Sequence, residues 1–552
     1  MKFKTLLSVI LGGCAFTAMA QGGYQDGVDY YNADRFEQAK IILDNTLNDA
    51  ATDKAVSYFY LGSIDLREGN TQAAKANFDK GVAANPAYGY NYVGLGEIAL
   101  KGGDKSGAEK LFKEAMATDK KDAALTAAVA RAYFNVDPVL YKKEIDKNVA
   151  KALKDSKNLE PAVYVLQGDM AKASDIGQAA GYYEQAMTYD EQAGHINPEA
   201  YVKYSNLYNK VNPSFAISKL EELNQKLPTS ALAQRELAEK YYDGNQFTKA
   251  AQQYGKYMSN PNHFQNDEQR YSGLLYFGKD YKKSLEIANQ VLAKDPENVY
   301  MHRMVMLNKA ALEDYAGAEE AAKKLFSTPN ATFTATDYMT YGDILGALNH
   351  PDEAIEAYTK AYELNPEKNK SALVSISSMY TDAENYAKAA EVMQKYVDMG
   401  DASLTDYYTL SNRYKNLALS LPEESPERVE AANNGIKYID LALESAADES
   451  KGMLLQNKAS LLMTRDGTNP TDELVETYKA MVAAYDLDPE NKVKRAGAYK
   501  SAYGFIANDY RVKKDDANAR LYFEKLLEID PENQAVRDLS LIHISEPTRQ
   551  AE

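Results

Sequence analysis

An all-α fold, a solenoid of about 14 stacked helix–turn–helix units, is what this sequence predicts. Three features predict it. A small residue returns every 34 to 37 positions along most of the chain. Around it, large apolar residues follow at spacings of four and then three, which places them on one helical face. Short polar turns and Asn/Asp-Pro stops separate these runs.

The first twenty residues stand outside that period. Lys2 and Lys4 give a short positive region, Leu6 to Phe16 is apolar, and Ala18-Met19-Ala20 supplies the small-x-small pattern of a cleavage site before Gln21. The apolar run is too short for a permanent membrane span. Residues 1–20 are therefore expected to be a signal peptide, and the chain exported. Leu11-Gly12-Gly13-Cys14 offers a rival reading, a lipobox with a lipid anchor on Cys14. Ala15 to Ala20 stays apolar instead of forming a polar tether, which favours simple cleavage. Cys14 is the only cysteine, so cleavage at Ala20 leaves a thiol-free chain held by its core alone. No later segment reaches the run of about 18 apolar residues that reads as a spanning helix.

The units follow. The small residue of the second helix falls at Ala39, Ala74, Ala108, Ile145, Ala179, Ala216, Ala250, Ser284, Ala318, Ala354 and Ala389. Less regular counterparts lie near Gly435 and Leu474 before Ala519 restores the phase. Gly62, Ala74 and Pro86 are spaced by 12, and so are Gly342, Ala354 and Pro366, and Ala507, Ala519 and Pro531. The first helix of a unit carries an aromatic or aliphatic residue, a small one and often Tyr, as in Tyr58, Leu61, Gly62 or Leu237, Ala238, Tyr241. Polar turns such as Glu68 to Thr71, Asp243 to Gln246 and Leu348 to Pro351 lead into the second helix. There Ala74, Phe78, Gly81 and Ala354, Tyr358, Ala361 share one face, the small residues allowing close approach and the large ones filling the gaps between units. Asp-Pro-Glu-Asn occurs at Asp295, Asp488 and Asp530, where Asp as N-cap with Pro in the first turn is expected to open the next helix.

The 34-residue unit and its Leu-Gly, Tyr, Ala, aromatic, Ala, Pro pattern resemble the tetratricopeptide repeat family, best around Ala74, Ala354 and Ala519. Tyr58, Tyr92, Tyr164, Tyr338 and Tyr407 stand where that family usually has Trp. The likeness covers Tyr24 to Asp538. It implies a right-handed superhelical solenoid over 21–538, with a regular array at 24–400 and a more irregular one at 401–538. Asn135 to Lys147, Leu419 to Glu430 and Arg465 to Asp472 depart from the period and are expected to be lengthened loops.

Composition narrows the function classes. A net charge of -17 argues against a nucleic-acid binder, which needs a basic face. The five His are scattered without metal-ligand spacing, and with no cysteine after Ala20 neither a zinc site nor any other cofactor is expected. No Gly-x-Ser-x-Gly elbow or Walker loop occurs. Gly94-x-Gly96 begins a dinucleotide loop, but Ala99 replaces its third glycine and no strand precedes it, so Gly96 is read as a packing position. The 80 Asp and Glu are mostly a solvated face. No enzyme activity is expected.

The family resemblance implies a concave surface, lined by the first helices, on which peptides and protein partners lie. Residues beside the small position, and three to four away, are expected to point into it: Phe59, Ser63, Tyr90, Glu97, Asp169, Arg235, Glu239, Tyr242, Met339, Asp343, Asn508 and Arg511. Glu97, Asp169, Glu239 and Asp343 are acidic at one repeat position, and they do not match the Lys/Asn carboxylate clamp of that family. An acidic, Tyr-rich groove for basic or polar segments is one reading, and solvated helix residues the other. The chain has 43 Tyr, 15 Phe and no Trp, and Tyr suits binding surfaces, yet Tyr241, Tyr358 and Tyr380 sit at packing positions. The expected role is a non-catalytic scaffold or adaptor of the periplasm or outer-membrane periphery of a Gram-negative bacterium, with other proteins or peptides as partners. Alternatives are the interaction arm of a larger enzyme or envelope-assembly machine and a glycan or polysaccharide-export accessory.

The last element breaks the pattern. Leu541, Ile542, His543 and Ile544 depart from helical spacing, and Pro547 stops a helix early. Leu539 to Arg549 also resembles the translation of a transposase-type sequencing adapter, so 539–552 is expected to be non-native and the natural chain to continue beyond about residue 538.

Overall fold

The computed structural model describes residues 23–467, 471–488, 490–534 and 536–537. The expected signal peptide at 1–20, Cys14 and the tail at 539–552 lie outside the described residues. Among the described residues every regular element is helical, and contacts divide the chain into a unit ending at Leu312 and a unit starting at Glu313.

The first unit opens with α1 (Tyr24–Asn32) and α2 (Phe36–Thr46), then α3 (Lys54–Arg67) and α4 (Thr71–Ala84), α5 (Tyr90–Lys101) and α6 (Lys105–Thr118). It continues with α7 (Ala123–Val136) and α8 (Lys142–Asp155), α9 (Pro161–Ala171) and α10 (Ile176–Gln192), α11 (Pro198–Tyr208) and α12 (Pro213–Lys226). It closes with α13 (Ala231–Asp243) and α14 (Phe247–Met258), α15 (Asp267–Phe277) and α16 (Tyr281–Lys294), and α17 (Val299–Ala311). The second unit holds α18 (Tyr315–Phe326), then the hairpins α19 (Ala335–Ala347)/α20 (Pro351–Leu364), α21 (Ser371–Asp382)/α22 (Tyr386–Asp398) and α23 (Leu404–Ser420)/α24 (Pro426–Glu444). It ends with α25 (Asp448–Asp466)/α26 (Asp472–Tyr485), the short α27 (Asn491–Lys494), and α28 (Ala496–Val512)/α29 (Asp516–Ile529). In each hairpin the two helices pack on one another, and the second packs on the first helix of the next hairpin.

The repeating small residue is the hinge of this packing. From Ala39 to Ala519 the predicted positions are at most 2% exposed, and Gly435 is buried as well. Opposite them, the small residue of the first helix meets a buried aromatic of the second. A Cβ at Gly62, Gly96, Gly168 or Gly342 would stand 2.6, 2.3, 2.4 or 2.5 Å from the ring of Phe78, Phe112, Tyr183 or Tyr358. No side chain fits there without moving a ring held on all sides. Seven residues after this first-helix position, which is small in every case but Met306, the backbone turns left-handed, at Gly69 and Gly103 and also at Asp34, Asn245, Lys279, Glu313, Asn349, Glu384 and Lys514. Non-glycine residues accept that conformation at roughly 1–2 kcal/mol each because it closes the tight turn between the helices.

Two expectations are corrected. Asp295 does not cap a helix: it ends α16, and the Asn298 side chain caps α17 by accepting from the Met301 amide at 3.0 Å. The motif spaces the cap three residues further on, because the Pro296 turn must first reverse the chain. Two of the period-breaking segments, 135–147 and 419–430, are also more helix than loop, while in the third, 465–472, residues 468–470 lie outside the described residues. Pro426 starts α24 behind the Ser425 cap, α25 runs to Asp466, and α8 begins at Lys142. Helix extension satisfies the backbone groups that a longer loop would leave to solvent.

Candidate functional site: the first-helix face

In the first unit the helical hairpins wind far enough for the first one to touch the sixth and seventh: α1 contacts α11 and α13. All three are first helices, so this layer faces inward. The closure is specific. Arg35 forks onto Glu236, Nε to Oε1 and Nη2 to Oε2, both at 2.6 Å, and Glu236 is fully buried. Asn262 donates to Asp26 at 3.3 Å, and Tyr30 sets its ring edge-on to Phe264 at 5.5 Å. Tyr30, Ala33 and Ile42 share one apolar cluster with Leu232, Leu237 and Phe264. A small cavity in the seam is lined by Asp26, Asp29, Tyr30, Ser230 and Asn262 among others. Burial, and then the charge of Asp26, pushes the Asp29 carboxyl up to about 7.

Inside the closed layer runs a ladder of charges. Asp169, 5% exposed, accepts from Arg131, from Lys203 Nζ at 3.2 Å and from the Tyr183 hydroxyl at 2.8 Å. Burial alone would raise its carboxyl; Arg131 and Lys203 overcome that and hold it well below the usual carboxylate range. Lys203 also lies 3.7 Å from Glu199 and 3.9 Å from Asp34. Arg235 meets Asp267 at 2.8 Å, and Arg270 forks onto Glu239 at 3.0 and 2.5 Å while lying 4.4 Å over the Tyr242 ring. Glu97 accepts from Asn135 at 3.3 Å, and burial raises its carboxyl. Asp169, Arg235, Glu239 and Glu97 thus reach the inner layer as charged or polar rungs, each with a partner inside the unit.

Beside the ladder lies an aromatic strip. Tyr31 touches Phe36 at 5.3 Å and Tyr60 at 5.0 Å, and Tyr60 touches Phe59 at 5.0 Å. Phe59 meets Tyr90 at 5.6 Å, and Tyr90 stacks on Tyr88 at 5.0 Å. These rings are half-buried rather than buried. The Ser63 hydroxyl donates to the Phe59 carbonyl at 2.8 Å. Burial raises the carboxyls of Glu160 and Glu199 and takes that of Asp190 up to about 7.

In the second unit Asp343 is exposed and accepts from Tyr358 at 2.7 Å; Met339 is half-buried against the α19–α22 core. Arg511 is exposed and donates to Asn508 at 2.7 Å. Arg131, Lys203, Arg270, Arg35 and Glu236 were not among the expected site residues. Most left a signal: Asp169 and Lys203 are 34 apart, Arg131 and Asp169 38, Glu239 and Arg270 31. Opposite charges about one period apart on first helices become rungs between neighbours. Among the described residues no group of His, Cys, Asp or Glu could hold a metal, and no helix is long and apolar enough to cross a membrane.

Tetratricopeptide repeat family models match residues 65–132 and 341–403. No curated protein matches the chain significantly. Among solved structures, it is similar to the C-terminal part of a TPR repeat-containing protein from Cytophaga hutchinsonii, at 19% identity over 49% of this chain and 98% of that one, TM-score 0.41. A tetratricopeptide repeat protein from Parabacteroides merdae aligns at 13% identity over 48% and 98%, TM-score 0.34. Yeast Tom70 aligns at 15% identity over 95% and 96%, TM-score 0.25. The chain carries tetratricopeptide repeats, matched directly over residues 65–132 and 341–403, and hairpins of the same design continue on either side.

Proposed function

We propose that this chain is a non-catalytic scaffold or adaptor of the bacterial cell envelope, exported to the periplasm, that binds protein or peptide partners along its first-helix layer. The aromatic strip from Tyr31 and Phe36 through Tyr60 and Phe59 to Tyr90 and Tyr88 carries this reading. Half-buried rings on the first helices α1, α3 and α5, joined by Phe36 at the start of α2 and Tyr88 just before α5, offer large contact area with few rotors, and the tyrosines add hydrogen-bonding tips. The neighbouring carboxyls of Glu97, Glu160 and Glu199 favour a basic or polar segment. Phe59, Ser63, Tyr90 and Glu97 are the proposed contacts in the first unit, and Met339, Asp343, Asn508 and Arg511 in the second. Asp169, Arg235, Glu239 and Tyr242, and also Glu97 and Asp343, already hold internal partners, so any contact that they make with a ligand requires exchange or sharing of those bonds.

In-cell crosslinking followed by identification of the captured molecules tests this role. Partner proteins captured by the native chain, and lost on Phe59→Ala/Tyr90→Ala substitution, are the expected result. Glycan binding by the isolated protein with no protein partner would overturn it in favour of a polysaccharide-export accessory.

A further inference from the structure

Four basic side chains in the first-helix layer of the first unit, Arg131, Lys203, Arg235 and Arg270, each meet a carboxylate, whereas Arg67 donates to the Tyr31 hydroxyl and Lys101 to the Leu66 carbonyl. In the second unit, α23 carries two such cations side by side, both held by neutral side chains. Arg413 donates through Nε to the Ser377 hydroxyl and through Nη2 to the Ser378 hydroxyl of α21, both at 3.1 Å. Lys415 donates to the Asn457 side-chain oxygen of α25 at 2.6 Å. The Arg428 side chain, on the paired helix α24, donates to the carbonyls of Leu421 at 3.1 Å and Thr464 at 3.2 Å. Neither Arg413 nor Lys415 has a carboxylate within 4.0 Å among the described residues. Both are half-buried, and burial pushes both pKa values down, with Asp382 opposing it at Arg413.

We propose that the α21–α23–α25 face of the second unit binds an extended acidic segment of a partner protein, with Arg413 and Lys415 as its cationic anchors. This rests on the reading of the first-helix layer as a partner surface. Half-burying a cation against neutral acceptors costs hydration that such bonds only partly return. An incoming carboxylate restores it with charge-assisted hydrogen bonds. Composition does not force the vacancy, because acidic residues outnumber basic ones 80 to 63. Two residues apart on one helix, the heads reach in different directions, one to α21 and the other to α25. A single terminal carboxylate cannot serve both; a run of Asp or Glu side chains can.

The test uses the full chain and a short labelled glutamate-rich peptide followed by fluorescence anisotropy, with a lysine-rich peptide and inorganic phosphate alongside. The wild-type chain is expected to bind the acidic peptide with an affinity that falls as salt rises. The Arg413→Gln/Lys415→Met variant is expected to bind at least about tenfold more weakly, and Arg413→Lys/Lys415→Arg, which keeps both charges, to retain most of the affinity. The neutral variant should also melt higher than wild type without peptide, whereas the peptide should raise the melting temperature of wild type alone. Equal binding by wild type and the neutral variant overturns the proposal. So does wild type that ignores the acidic peptide; if it still takes the lysine-rich one, the wider partner-binding role stands. Phosphate that binds as tightly as the peptide and displaces it also overturns the proposal, marking a free-oxyanion site.

Discussion

Arg35→Ala probes the closure of the first unit where the structure makes it most specific. Arg35 holds both oxygens of Glu236 at 2.6 Å, and the two side chains are unequally placed: Glu236 is 0% exposed, Arg35 28%. Deleting Arg35 leaves a carboxylate with no access to water, which costs about 3–5 kcal/mol. Glu236→Gln leaves a guanidinium that can turn to solvent, and only the charge-assisted share of the bond is lost, about 1.5–3 kcal/mol. The order Arg35→Ala above Glu236→Gln is therefore the signature, and a joint Arg35→Met/Glu236→Leu exchange should recover much of the loss. The damage should also be local. Hydrogen exchange followed by mass spectrometry should show α1, α2 and the 259–266 segment losing protection together while α5 to α8 keep theirs. Glu236→Gln costing as much as Arg35→Ala, or protection falling evenly over the first unit, would refute the clasp as described.

Other perturbations follow from the same geometry. Phe78→Ala empties the slot between Gly62 and Gly94 and should cost about 3–5 kcal/mol. Gly94→Ala should cost about 1–3 kcal/mol by overpacking, less about 1 gained in helix propensity, and Phe78→Leu should partly relieve it in a double-mutant cycle by chemical denaturation. Asp169→Ala leaves Arg131 and Lys203 without their shared acid and should cost about 3–5 kcal/mol, read from denaturant midpoints. Because the native Asp169 carboxyl titrates below its ordinary value of 3.8, its stabilisation is complete above that pH and is lost as pH falls through the native value; the variant should lose that acid-side slope. Asp29 has the opposite sign. Its native carboxyl at about 7 lies above the ordinary 3.8, so its cost is absent below 3.8, grows between the two values and is complete above 7. Melting curves should show the first unit gaining stability on going from about pH 8 to pH 5, by at most about 3 kcal/mol before solvent screening, since only the span from about 7 down to 5 contributes. Asp29→Asn should reduce that dependence by the Asp29 share and leave that of Asp190, whose carboxyl burial also takes up to about 7.

Local design was legible in the sequence because each part of it repeats. The small positions from Ala39 to Ala519 are buried as their spacing required, and the Gly–aromatic contacts fall where a 16-residue step puts them, from Gly62 to Phe78 and from Gly342 to Tyr358. Gly435 and Leu474, the weakest of the series, also land on second helices. Closure was not legible. The meeting of Arg35 with Glu236 spans 201 residues and depends on crossing angles accumulated over six hairpins, none of which has its own sequence signal. The charge ladder was half legible: Glu97, Asp169, Arg235 and Glu239 were singled out for their repeat position, but Arg131, Lys203 and Arg270 show their roles only when charges one period apart are paired. The pair on α23 has no such signal, because what marks it is that no carboxylate lies within 4.0 Å of it among the described residues.

The central claim is that partners lie on the first-helix layer. A photo-crosslinking amino acid placed in turn at Phe59, Tyr90 and Asp343, and at the exposed second-helix positions Lys75, Lys110 and Lys360, tests it most directly in cells. Crosslinks to the same partner proteins from the first set and not from the second are what the account predicts. Crosslinks from the second-helix positions alone would contradict it.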